Sequence, residues 1–174
     1  PVRWGEPDES KLVRVYSNCT EAELFVNGVS MGVKKRDSQA FPAAGLSWNV
    51  VLKEGENHFK AVGKKGRVTV TDEFIQGYQT DKWGEEAILE ASVMPAEEGY
   101  VWVEAILKDE NGVRCLDSRK YIFFDLAGDG NMLDNLGTSS GSRTLQAYNG
   151  RARIKVSLNE GESRMAVKSE GLKT

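Results

Sequence analysis

Histidine is nearly missing from this 174-residue chain, and its single copy, His58, lies in a run that alternates like a strand. That scarcity excludes a His-rich metal site and speaks against a Ser-His-Asp triad. Cysteine is almost as rare. Cys19 and Cys115 are too few and too far apart for a disulfide framework or a zinc cluster, and each reads as a small buried hydrophobe. No apolar run approaches the roughly 20 residues of a membrane helix, and no signal peptide precedes the first strand. A strong positive field is also lacking. Residues 1–82 carry 12 Lys/Arg against 11 Asp/Glu, and residues 83–174 carry 11 against 15, so nucleic acid is not an expected partner. Nowhere does a helical period run long enough to alternate with strands, which excludes a (β/α)₈ barrel within these residues.

What is present is strand after strand. Val13 and Val15 alternate with Arg14 and Tyr16, and Ala22, Leu24 and Val26 alternate with Glu21, Glu23 and Phe25. Asn27-Gly28 follows, the dipeptide suited to the two positive φ angles of a type I′ hairpin. Val29, Met31 and Val33 then carry the apolar face back along the partner strand. Trp48, Val50 and Leu52 continue the alternation. Glu54-Gly55-Glu56-Asn57 reads as a hairpin turn with His58 to Val62 as its return strand, and 63–66 reads as the next turn. One-sided apolar strands need a second sheet to cover them, so the expected fold is all-β and built of sandwiches.

The composition turns polar near Tyr78 to Glu86, and a domain boundary is placed there, giving units 1–82 and 83–174. The second unit restarts with Ala87, Leu89, Ala91 and Val93. Val101, Val103, Ala105 and Leu107 share one face of a longer strand, Asp109 to Gly112 makes a hairpin turn, and Ile122, Phe124 and Leu126 share the next face. Ala152, Ile154, Val156 and Leu158 alternate with Arg151, Arg153, Lys155 and Ser157 after an Asn149-Gly150 turn, and Met165 and Val167 close the sheet.

Two stretches carry a resemblance. VRVYSNC with ELFVNGVSMG, continued by FPAAGLSWNVVLKEGENHFKAVG, resembles the immunoglobulin-like domain that follows the catalytic barrel in glycoside hydrolase family 2 enzymes, the β-galactosidase group above all. LAGDGNMLDNLGTSSGSRTLQAYNGRARIKV, with SEGL at 169–172, resembles the last sandwich domain of the same family. The resemblance implies two consecutive immunoglobulin-like β-sandwiches from the C-terminal part of a retaining β-galactosidase. The glutamate nucleophile and acid/base of such an enzyme belong to the barrel, so no catalytic residue and no cofactor is expected here. The opening at Pro1 reads as an excision from a longer chain, whose parent the resemblance implies to be periplasmic or secreted in a bacterium. Expected partners are the catalytic barrel and other domains of the parent, with homo-oligomer contacts and carbohydrate as further partners, and neither nucleic acid nor membrane.

Four sets of residues remain as site candidates. Trp4, in an irregular lead-in, is expected to pack against the first sandwich or against a preceding domain of the parent, and Trp83, in the polar linker, is expected to be wedged between the two domains it joins. Trp102 is out of phase with Val101 and Val103, so it either stacks on a sugar or packs against a neighbour together with Tyr100 and Ile106. Asp129, Asn131 and Asp134 lie in a glycine-rich loop, 127–143, with oxygen ligands that would suit calcium, although their spacing is not that of an EF-hand. The adjacent Glu97-Glu98 pair reads as turn residues rather than a glycosidase dyad. The resemblance implies a structural role, support of the catalytic barrel and of subunit or domain contacts, and against it stand two other readings, an independent carbohydrate-binding module and a surface adhesion module. The absence of sequence likeness between the two halves argues against a repeat array.

Overall fold

The computed structural model describes residues 1–36, 45–133 and 143–172. Every regular element among them is a strand, and the chain divides into two compact units, Pro1–Thr80 and Asp81–Thr174.

The first unit contains β1 (Val2–Trp4), β2 (Ser10–Val15), β3 (Glu21–Val26), β4 (Val29–Lys35), β5 (Leu46–Val51), β6 (Gly55–Lys65) and β7 (Val68–Gln79). They form a five-stranded sheet in the order β1-β7-β6-β3-β4 and a two-stranded sheet of β2 and β5. Strand β3 alternates buried and half-buried positions without a break, as the sequence period requires. Its inward residues Ala22, Leu24 and Val26 meet Trp48, Val50 and Leu52 from the other layer, with Phe59 and Tyr78 completing the core. Asn27 and Gly28 have φ of 52° and 81°, the mirror-image turn that matches strand twist.

Several sequence expectations are corrected in this unit. Val33 does not continue the buried face of Met31 but is 52% exposed. The register slips by one residue between Glu23↔Val33 and Phe25↔Ser30, so β4 carries an extra residue, and Gly32 at φ 90° supplies the bulge. A bulge reverses which face each later side chain occupies, which is why Val33 shares the outer side with Glu23. Gly55 and Asn57 do not close a hairpin: β5 pairs with β2, whereas β6 pairs with β3 and β7, so residues 52–54 cross between the layers. Gly63 is inside β6, and the turn falls later, at Gly66 and Arg67. A Cβ on Gly63 would lie 2.8 Å from Cys19 Sγ, so close packing explains that glycine. Tyr78 belongs to β7 and to the core, and its hydroxyl donates to Glu6 O at 2.8 Å.

The second unit contains β8 (Ile88–Pro95), β9 (Tyr100–Lys108), β10 (Tyr121–Gly128), β11 (Asn131–Met132), β12 (Thr144–Gln146), β13 (Arg151–Ser157) and β14 (Ser163–Lys168). One sheet runs β11-β13-β9-β8 and the other β12-β10-β14. Val103, Ala105, Leu107, Ile154 and Val156 face Ile122, Phe124 and Val167 across the core. Here too the layer changes differ from those the sequence suggests. Asp109 to Gly112 turns the chain, but β9 and β10 lie in different sheets, and β14 joins β10 rather than closing the sheet of β13. At the edge strand β8 only Leu89 of the expected apolar set is buried, and Val93 is exposed. Leu158 falls beyond β13 and is exposed as well.

Candidate functional site

The outer face of the β8–β9–β13 sheet carries the densest chemistry among the described residues. Strand alternation sends Val101, Val103 and Ala105 inward, so Tyr100, Trp102, Glu104 and Ile106 point the other way. Antiparallel register then decides their neighbours: Arg151 lies opposite Ile106, Arg153 opposite Glu104, Lys155 opposite Trp102 and Ser157 opposite Tyr100. Sequence periodicity separately marks Trp102 and the Arg151/Arg153/Lys155 row as outward. What it lacks is the pairing that brings them together.

Glu104 is the anchor of this face, a carboxylate only 7% exposed. Its Oε2 accepts from Arg151 Nη1 at 2.9 Å and lies 3.3 Å from Arg153 Nε. One buried carboxylate therefore fixes two guanidinium groups. Lys155 Nζ sits 4.7 Å from the Tyr100 ring centroid and 5.8 Å from that of Trp102, and Arg153 is 5.7 Å from Trp102. Lys155 also pairs with Glu97. Arg114 donates from Nε and Nη2 to Asn149 O at 2.9 and 2.6 Å. Burial, together with the positive charge of Arg151 and Arg153 that Glu104 only partly offsets, lowers its pKa to about 10.

The remaining candidates are dispersed. Trp4 Nε1 donates to Thr80 O at 3.0 Å within the first unit. Trp83 is half-buried in the second unit, donates from Nε1 to Asp117 Oδ1 at 2.5 Å, and has Lys82 Nζ 3.9 Å from its ring centroid. Asp129 is tied to the β13–β14 connection: its carboxylate accepts from Gly161 N at 3.0 Å, and its backbone carbonyl accepts from the Asn159 amide. Asn131 is exposed on β11, and Asp134 lies outside the described residues. No group of three potential metal ligands occurs among the described residues.

His58 is exposed, and Glu97 and Glu98 are exposed residues of the β8–β9 turn. Both cysteines are free and buried. Burial, reinforced by Glu86, Asp109 and Asp117, pushes the Cys115 thiol up to about 11, which removes it as a nucleophile at neutral pH. Asp109 is held below the usual carboxylate range by the N–H of Gly84 and then by those of Val113 and Asn111. It is a loop clasp, not an acid.

Comparisons with known proteins match this chain to parts of longer proteins. Residues 8–70 match a family described as Domain of unknown function (DUF4982). The crystal structure of a Parabacteroides merdae β-glucuronidase is similar over 99% of this chain and 22% of its own, with 55% identity and a TM-score of 0.88. A provisionally named β-glucuronidase of Formosa agariphila is 45% identical over 155 residues, 88% of this chain and 19% of that protein. A β-galactosidase of Bacteroides ovatus is 26% identical over 98% of this chain and 20% of its own. The chain thus spans about a fifth of the length of the curated relatives it matches.

Proposed function

We propose, from the premise that this chain is a non-catalytic β-sandwich region of a glycoside hydrolase family 2 enzyme, that its parent is a β-glucuronidase. In that reading the region supports the catalytic barrel and its domain or subunit contacts. The observation that carries it is the 55% identity to the P. merdae β-glucuronidase, sustained over 99% of the chain. Identity at that level exceeds what a merely shared sandwich architecture would require. The reading departs from the β-galactosidase parent that the sequence resemblance implied.

The structural role agrees with the composition of the chain itself. Glycoside hydrolysis needs two carboxyl groups facing across the scissile bond. Among the described residues the buried acids are Glu104 and Asp109, and both are committed, one to two arginines and one to backbone N–H groups.

The test uses the intact parent enzyme and this 174-residue chain side by side on chromogenic β-glucuronide and β-galactoside. The parent is expected to turn over the glucuronide in strong preference, and the chain alone neither. Preference of the parent for the galactoside would favour the second reading, a β-galactosidase parent, which the B. ovatus relative supports. Turnover by the chain alone would overturn the non-catalytic role.

A further inference from the structure

We propose that the outer face of the second sandwich is a binding surface for an acidic saccharide, a hexuronate-bearing oligosaccharide, held by Arg153 and Lys155 with Trp102 as its stacking platform. Three observations carry this. The first is a surplus of positive charge in a half-buried place: Arg114, Arg151, Arg153 and Lys155 gather around Glu104 and Glu97. Cations crowded in this way are stabilised by an arriving anion more than isolated surface lysines would be. Burial first, and then the charges of Arg151 and Arg153, lower the Arg114 pKa.

The second is preorganisation. Arg151 and Arg153 are fixed by one buried carboxylate, and Lys155 is held beside two rings, so little side-chain entropy remains to be lost on binding. The third is the half-exposed indole of Trp102, flanked by Arg153 and Lys155. An aromatic face beside cations suits a ring that is apolar on one side and carries a carboxylate at its edge. An acidic peptide would use the cations but has no comparable need of the indole. The choice of a uronate among acidic sugars rests on the β-glucuronidase reading; the need for an anion does not.

The test titrates this 174-residue chain with a β-linked oligoglucuronate and with the same oligosaccharide after reduction of its carboxyl groups, following amide chemical shifts and tryptophan fluorescence. The uronate is expected to give saturable shifts centred on residues 100–104 and 151–155, weakened by added salt. The neutral counterpart should bind about tenfold more weakly or weaker still, the effect of losing a charge-assisted hydrogen bond. Trp102→Ala and Arg153→Gln should each reduce the affinity, with dispersed amide spectra showing that the sandwich is intact. Tyr121→Ala, on the exposed face of β10, should leave it unchanged.

No saturable shift, equal affinity for the neutral sugar, or indifference to Trp102→Ala and Arg153→Gln would overturn the proposal. So would binding of inorganic sulfate or of a Glu-rich peptide as tight as that of the uronate, the latter marking the face as a protein-docking surface. The parent's substrate does not enter these readouts, so binding here and failure of the β-glucuronidase assay, or the reverse, are separately visible.

Discussion

The side-chain amide of Asn27 donates through Nδ2 to Oδ1 of Asn57 at 3.0 Å, joining the tip of the β3–β4 hairpin to the start of β6. The link continues on both sides. Asn27 Oδ1 accepts from His58 N at 2.9 Å. Asn57 Oδ1 also accepts from Lys53 N, while its Nδ2 donates to Lys53 O and Gly55 O. All four hydrogen-bonding positions of the Asn57 amide are filled, and the side chain is fully buried. One asparagine thus holds the crossing between the two layers and the hairpin that packs beside it.

Asn57→Ala should therefore destabilise the first unit by about 1–3 kcal/mol, since it leaves the Lys53 N–H and carbonyl without this partner in a part-buried place. Asn57→Asp should cost a comparable amount, because a carboxylate accepts but cannot donate to the carbonyls of Lys53 and Gly55. Urea unfolding followed by Trp48 fluorescence measures both. An Asn57→Ala protein as stable as the unmodified chain would show that the crossing does not depend on this amide.

The two Asn-Gly turns separate backbone strain from crowding. Gly28 has φ 81° with open space where a methyl group would project, whereas at Gly150, φ 66°, a Cβ would lie 2.7 Å from Cys115 O. Gly28→Ala should then cost about 1 kcal/mol, the strain of the left-handed backbone alone. Gly150→Ala should cost about 3 kcal/mol or more, because a backbone carbonyl cannot rotate away. Denaturant midpoints of the two variants give the ranking, and equal losses would mean that the Cys115 loop relaxes freely.

These cases also show how far the sequence is legible. Alternation tells which face of a strand is apolar, and that is enough to find β3, β5, β9 and β13 and to infer a sandwich. It does not tell which strand lies alongside, so a chain crossing from β5 to β6 looks like a hairpin from within residues 54–57. Asn57 reads as a turn residue by type, and only the fold reveals that its amide is buried. The bulge at Gly32 is invisible to a period-2 count and moves Val33 to the other face. For the same reason Trp102 and the Arg151–Lys155 row can each be read as outward, while their meeting depends on a register set by long-range pairing.

Cys115 ties stability to alkaline pH. Its thiol ionises near 9.0 when exposed and at about 11 in the fold, so the folded state holds the proton more tightly. The sign follows from that: this contribution is intact below pH 9.0 and is lost as pH rises through about 11. Cys115→Ala should flatten the fall in stability across that window relative to the unmodified chain, as read from urea midpoints at stepped pH. The native thiol should also resist aromatic disulfide reagents at pH 8 until the second unit opens. Rapid stoichiometric labelling of Cys115 in the folded protein would contradict both the burial and its effect on the proton.

Glu104 offers the sharpest separation of structure from binding. Removing its charge leaves Arg151 and Arg153 facing one another and Arg114 without the carboxylate that offsets them. Because the two arginines keep access to water, the loss for Glu104→Gln should be modest for a buried pair, about 2 kcal/mol. Its cause is repulsion between cations, so it should shrink in 1 M NaCl, where the screening length is about 3 Å. Glu104→Gln combined with Arg151→Met should recover part of the stability, since the second change removes one of the charges the first exposes. Urea unfolding at low and high salt measures all three proteins. A loss that is independent of salt, and that Arg151→Met deepens rather than relieves, would assign Glu104 a packing role and leave the cation cluster without its anchor.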